Sequence, residues 1–179
     1  MTDSQAHRPF NLLFLCTGNS ARSILAESIL RKDGRGRFNA FSAGSSPKGV
    51  VNPLALKTLE ALEYPTDGLR SKSWNEFAVP GAPVMDFVIT VCDDANGEAC
   101  PVWPGQPVSA HWGIEDPSTV PGPDFKREAA FRQAFRYMKN RIGPFINLPI
   151  RTLDAISIQA KMHEIGKLEG STSPDANAI

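Results

Sequence analysis

Leu12-Leu13-Phe14-Leu15-Cys16-Thr17-Gly18-Asn19-Ser20-Ala21-Arg22-Ser23 is the stretch that decides the fold, because an apolar strand runs straight into a small polar loop and then into a helix. The near-continuous apolar run from Phe10 to Leu15 suits a central parallel strand covered on both faces. From Ser23 to about Lys32, Leu25 and Ile29, then Ala26 and Leu30, recur at four-residue spacing, so one helix face packs on the sheet until Asp33-Gly34 ends it.

The loop reads as a seat for an oxyanion. Cys16 and Arg22 form a Cys-x5-Arg pattern, short enough to curl around a tetrahedral anion. The N–H groups of Thr17, Gly18, Asn19, Ser20, Ala21, Arg22 and Ser23 are expected to turn inward around it. A thiol is a poor nucleophile until it ionises, and those N–H groups with the positive end of the helix are expected to lower the pKa of Cys16. The planar fork of Arg22 can hold two anion oxygens at once, which a lysine cannot do. Gly18 is expected to permit the turn, and Asn19 and Ser20 to hold the loop open or steady the thiolate. The competing account is a buried strand-end cysteine with a chance arginine; a strand before, Gly-Asn-Ser within and an Arg-Ser helix start after argue against it.

The rest of the chain is consistent with one catalytic domain over residues 1–168, followed by a disordered tail from Glu169 to Ile179. Nineteen basic and nineteen acidic side chains balance and are spread along 179 residues, which gives no electrostatic case for nucleic acid or an anionic membrane surface. The polar first nine residues lack the apolar core of a signal peptide and no later run could span a bilayer, so a cytoplasmic address is expected. Three cysteines and three scattered histidines show neither a disulfide framework nor zinc spacing, which leaves thiol chemistry.

Taken in order, Phe38 to Ala43 reads as a second strand, and Asn52-Pro53 as a helix cap followed by Pro at the first helical position. Ala55, Leu59 and Leu62 are the expected buried stripe of that helix, and a short turn is expected around Trp74 to Phe77. Val84 to Val91, interrupted by Asp86, is a further strand that ends at Cys92 much as the first ends at Cys16. Strand-helix alternation argues for a parallel sheet, and such sheets bind ligands beyond the carboxyl ends of their strands, so Cys16 and Cys92 are expected on one edge. Residues 93–123, rich in Pro and Gly, read as a functional loop carrying Cys100 and Asp116. Phe131, Phe135, Met138 and Ile142 mark an amphipathic helix whose Arg132, Arg136 and Lys139 face reads as solvated, and Leu153 to Leu168 suggests a last helix.

With Cys16-x5-Arg22-Ser23 after an apolar strand and Asp116-Pro117 further on, the sequence resembles the low-molecular-weight tyrosine phosphatases. Thr90-Val91-Cys92-Asp93-Asp94, Cys100-Pro101-Val102-Trp103-Pro104-Gly105, His111-Trp112-Gly113 and Glu115-Asp116-Pro117 look like the thiol-dependent arsenate reductases of that superfamily. The resemblance implies an α/β three-layer sandwich, a four-stranded parallel sheet flanked by helices, with arsenate held in the Cys16–Arg22 loop. It implies Cys16 as nucleophile, Asp116 as the acid that protonates the departing oxygen, Cys92 as the resolving thiol and Cys100 as a relay. The partners it implies are arsenate and a thiol donor, either thioredoxin or glutathione with glutaredoxin; no organic cofactor is expected. Members can bind potassium beside the loop, and Asn19, Glu27 and Ser42 stand at the matching positions, although a solvated helix face is an equal reading for Glu27.

Some residues depart from the family pattern: Ala21 stands where relatives often have cysteine, and Cys92 and Cys100 are eight residues apart, one more than the thioredoxin-linked type suggests. Ser118 follows Asp116-Pro117 where a tyrosine phosphatase usually has an aromatic residue. Cys92 on its own would read as a buried core thiol, Asp116 as a turn starter and His111 as a packed or capping histidine. The competing functions are a tyrosine phosphatase using Cys16, Arg22 and Asp116 alone, and a non-catalytic oxyanion-binding or redox-sensing module.

Overall fold

The structure is a computed structural model that describes residues 8–93 and 103–172; Cys100 and residues 173–179 lie outside the described residues. Its elements are β1 (Phe10–Cys16), α1 (Arg22–Asp33), β2 (Phe38–Gly44), α2 (Pro53–Ala61), β3 (Phe87–Thr90), β4 (Val108–His111), α3 (Asp124–Ile146) and α4 (Ala155–Gly166). Single 3-10 turns stand at Trp74–Phe77 and Pro117–Thr119. The strands form a four-stranded sheet among the described residues, all parallel, in the order β2-β1-β3-β4.

That order sets the position of the site. From β1 the chain first moves to one side for β2 and then returns to the other side for β3, so a crevice opens beyond the carboxyl ends of β1 and β3. Cys16 ends β1 and Cys92 follows β3, which puts both on that edge, as the sequence reading expected.

Alternation along β1 divides the core. Leu12, Phe14 and Cys16 point into a large cluster with α1, α3 and α4, while Leu13 and Leu15 point to a smaller one with Phe77, Met85 and Val88. This is a three-layer α/β sandwich whose second covering layer, among the described residues, is built from the Trp74–Phe77 turn and Trp103. Phe145, near the end of α3, joins the elements of the larger core: its ring lies 5.4 Å from Phe38, 5.3 Å from Phe87 and 5.7 Å from Trp112. Among the described residues, no helix is long and apolar enough to cross a membrane.

Several expectations from the sequence need correction. The strand placed at Val84 to Val91 spans only Phe87–Thr90. Asp86 accounts for its late start: the carboxylate accepts the Asn11 N–H at 2.7 Å and both arms of the Arg8 guanidinium at 2.8 Å, tying together the beginnings of β1 and β3. The stretch read as one irregular loop over 93–123 contains β4, a short edge strand. In α2 the buried positions are Ala55, Thr58 and Leu59, while Leu62 faces solvent. Helix α1 is covered all round rather than on one face, with every residue from Ser23 to Leu30 buried. The basic face of α3 is not simply solvated: Lys139 binds Asp33 and the Tyr64 hydroxyl, and Arg136 pairs with Glu169.

Residues 169–172, the first part of the stretch expected to be a disordered tail, are held in place. Arg141, fully buried, donates to the carbonyl oxygens of Tyr137 and Leu168 at 3.0 Å and of Glu169 at 3.1 Å. Ser171 bridges Ile114, and the Thr172 N–H donates to the Gly113 carbonyl at 3.1 Å. The indole N–H of Trp112 donates to the Met162 carbonyl at 2.8 Å, which docks α4 beside β4.

Because Phe145 touches aromatic rings from three separate elements, Phe145→Ala should lower unfolding stability by about 3 to 5 kcal/mol. Urea denaturation followed by tryptophan fluorescence measures it, and a loss below about 1 kcal/mol would contradict this packing role.

Candidate active site

The loop after β1 is shaped by what happens to its carbonyl groups. Cys16 O accepts from Ser45 N–H at 3.3 Å, Thr17 O from Ser46 at 2.9 Å, Gly18 O from Lys48 at 3.0 Å and Ser20 O from Asn52 at 3.0 Å. With the carbonyls drawn outward by residues 45–52, the intervening N–H groups turn inward, which is a backbone nest for an anion. Helix α1 starts from Ala21, which supplies no side-chain cap, so its first N–H groups also face the loop. The cavity above holds about 180 Å³, with Ser46, Lys48, Asp116 and Ser118 at its rim. That is smaller than the roughly 300–1,000 Å³ that drug-sized ligands occupy and suits a small anion.

The left-handed turn falls on Asn19, at φ 43°, and not on Gly18 as the sequence suggested. Glycine is needed elsewhere. At Gly44, which ends β2, a Cβ would stand 2.4 Å from the Thr17 carbonyl oxygen, so only glycine lets β2 approach the loop.

Cys16 is buried, and burial pushes its thiol above the ordinary value, against the lowering expected from the loop. The Ser23 hydroxyl is the strongest opposing influence, at 2.9 Å from Sγ. Cys92 raises the Cys16 thiol further, while the Asn19 N–H, 3.2 Å from Sγ, and Arg22 lower it. Ser23 Oγ already accepts a hydrogen bond from Asn19 Nδ2 at 2.9 Å, which leaves its own proton free to donate to the sulfur.

Asn19 is fully buried and fully engaged. Nδ2 donates to Ser23 Oγ and to Ser42 Oγ at 3.0 Å, and Oδ1 accepts the Lys72 N–H at 2.9 Å. Ser42 in turn donates to Glu27 Oε2 at 2.6 Å. Glu27 is buried rather than solvated, and the three residues expected around potassium do come together. They meet a residue that the sequence did not single out, since Lys72 Nζ lies 4.0 Å from Glu27 Oε2 and 3.5 Å from Ser42 Oγ. Nothing in the pattern of the connecting segment Arg70-Ser71-Lys72-Ser73 marks Lys72 as buried. A potassium ion does not fit this set as it stands, because the Lys72 amine occupies the space beside the Glu27 carboxylate and the Ser42 hydroxyl. Among the described residues, no group of three or more His, Cys, Asp or Glu side chains is placed to hold a metal ion.

Across the crevice, Cys92 Sγ accepts the N–H of Thr17 at 3.3 Å, with the Thr17 hydroxyl at 3.6 Å. The second cysteine therefore touches the first amide of the loop, immediately after Cys16. Arg22 is positioned by the Ile114 carbonyl, 3.0 Å from Nη1, and its Nη2 is 3.4 Å from Asp116 Oδ2. Asp116 does start a turn, its Oδ1 accepting the N–H of Ser118 at 2.9 Å and its hydroxyl at 2.7 Å, and it also lines the cavity. His111 is packed as expected, 2.7 Å from the Thr90 hydroxyl and 2.8 Å from Asp93.

A buried thiol under a loop of inward amides, with a guanidinium and a carboxyl group at the rim, is an arrangement suited to cysteine chemistry on oxyanions. Residues 11–147 match the family of low molecular weight phosphotyrosine protein phosphatases, and the chain belongs to that family. It is similar to the arsenate reductase of Oceanobacillus iheyensis, 33% identical over 134 residues that cover 75% of this chain and 93% of that protein. Among solved structures, an arsenate reductase in the phosphate binding state is 27% identical, covers 76% of this chain and 96% of its own, and superposes with a TM-score of 0.61. A low molecular weight protein tyrosine phosphatase from T. tengcongensis, 21% identical over 76% of this chain and 97% of its own, shares the fold with a TM-score of 0.62. The resemblance drawn from Cys16-x5-Arg22 and Asp116-Pro117 holds, and with it the fold class.

Since the Ser23 hydroxyl is the largest influence opposing burial at Cys16, Ser23→Ala should move the pH midpoint of iodoacetamide alkylation at Cys16 upward. Alkylation at pH 7 should slow with it, measured by mass spectrometry of the Cys16 peptide. An unchanged midpoint would mean that Ser23 does not stabilise the thiolate.

Proposed function

We propose that the protein is an arsenate reductase that works through a thiol cascade. Arsenate has the shape and charge of phosphate, so the loop N–H groups and Arg22 would hold its oxygens while Cys16 attacks arsenic in line. Asp116 would protonate the oxygen that leaves as water, giving an arsenic(V) ester of Cys16. The Cys92 thiolate then attacks Cys16 Sγ: the sulfur–sulfur bond forms, the sulfur–arsenic bond breaks, and its electron pair stays on arsenic, which departs as arsenite. Two thiols thus supply the two electrons.

The observation that carries this reading is the contact between the Thr17 N–H and Cys92 Sγ. A phosphatase has no use for a second sulfur beside its nucleophile, whereas a reductase needs one. Cys100 would next attack Cys92, free Cys16 and present a Cys92–Cys100 disulfide to thioredoxin, or to glutathione with glutaredoxin. Ser118, where an aromatic would grip a phosphotyrosine ring, also supports a small inorganic substrate.

The test is arsenite production by the purified protein with each donor system in parallel. Turnover with either supports the reading; hydrolysis of an aryl phosphate with neither donor giving arsenite would make the protein a phosphatase. Arsenate binding without any turnover would make it an anion-binding module. Cys92→Ser should abolish arsenate reduction while leaving aryl phosphate hydrolysis within about twofold, because only the second half of the cycle needs Cys92. Asp116→Asn should slow single-turnover ester formation by about 100-fold or more with little change in anion affinity. Weakened binding with the chemistry intact would remove Asp116 from the acid's role.

A further inference from the structure

Beside the loop lies the amine of Lys72, which burial pulls toward its neutral form and the Glu27 carboxylate holds toward its charged one. Glu27 and Lys72 are 5% and 8% exposed, and Lys72 Nζ contacts three oxygens of different kinds. These are the Arg70 carbonyl at 3.0 Å, the Ser42 hydroxyl at 3.5 Å and the Glu27 carboxylate at 4.0 Å. Carbonyl, hydroxyl and carboxylate oxygens are what a hard monovalent cation takes. An alkylammonium head carries the same charge as potassium, and here it is tethered. The other carboxylate oxygen, Glu27 Oε1, faces Arg31 at 3.2 Å, so both sides of Glu27 are met by positive groups. The same lysine reaches the loop through its backbone, whose N–H holds the amide oxygen of Asn19.

We propose that Lys72 is the resident cation of this site, taking the place of a potassium ion and holding Ser42 and Glu27, and through Ser42 the side chain of Asn19, Ser23 and the Cys16 thiolate. Lys72 acts through Asn19 and touches neither substrate nor sulfur, which makes it a positioning residue. The inference rests on the loop around Cys16, and not on whether arsenate is the substrate. Its test is therefore read from Cys16 alkylation and thermal unfolding, which are measurable whatever the protein turns over.

The reduced full-length protein is compared in potassium chloride and in choline chloride at equal ionic strength. The wild type should melt at the same temperature and alkylate at Cys16 at the same rate in both salts. Lys72→Ala should melt lower and alkylate about tenfold more slowly in choline, with potassium restoring both along a saturating curve. Lys72→Ala combined with Glu27→Gln should lose the potassium response, since the carboxylate that attracts the ion is gone. A merely structural lysine would leave Lys72→Ala impaired in both salts, which overturns the proposal. A saturable potassium response in the wild type overturns it too, and needs no variant to fold. A potassium response that survives in the double variant would place the ion elsewhere and also refute it.

Discussion

Asn19 sits at φ 43° with its side chain fully buried, and all of its polar side-chain atoms are engaged: the amide nitrogen by Ser23 and Ser42, the oxygen by the Lys72 N–H. A left-handed conformation costs a non-glycine residue about 1–2 kcal/mol, and a buried amide left unpaired costs about as much again. Those two demands are met together or not at all. The bend that turns the loop amides inward is held by the hydrogen bonds that orient Ser23 toward Cys16. Backbone shape and thiol chemistry are therefore one problem at this position. Ser42, Glu27 and Lys72 belong to it although they never approach the anion.

How much of this was visible in the sequence depended on whether a residue's role showed in its local pattern. The strand, loop and helix around Cys16 were legible because β1 is buried on both faces and reads as an unbroken apolar run. Asn52-Pro53 and the Trp74–Phe77 turn were legible from cap and turn chemistry. Strand β4 was not, since Val108–His111 is a half-covered edge of four residues within a Pro- and Gly-rich stretch. For Glu27 a solvated helix position stood beside the ligand reading, because helical periodicity assumes one buried face, and α1 is buried on all sides. Lys72 was invisible for a related reason: a lysine in a polar connection normally faces water, and only the tertiary structure shows that it turns inward.

Residues 148–172 lie beyond the span matched by the family, yet they are tied to the site. Helix α4 packs against β4, the edge strand of the sheet, and the Gln159 side chain donates to the Ser109 carbonyl at 3.4 Å. Ser171 bridges Ile114, whose carbonyl receives Arg22, so residues 171–172 pack behind the peptide that aims the guanidinium. Thr172 donates to the Asp93 carboxylate at 3.0 Å, next to Cys92, and His111 approaches the same oxygen. Fully buried Arg141 secures this return by gripping the carbonyls of Leu168 and Glu169.

The outward pull on the carbonyls of Cys16, Thr17, Gly18 and Ser20 braces the loop from outside. The loop faces its cavity with peptide groups whose direction is fixed by residues 45–52, and its shape owes little to the side chains at Thr17 and Ala21. Constraint falls instead on Gly44, which must leave room for the Thr17 carbonyl, and on Asn19, Arg22 and Ser23. A loop braced in this way keeps its curvature through its neighbours' backbone, so a change in residues 45–52 would reshape the cavity without touching a residue that lies between Cys16 and Arg22.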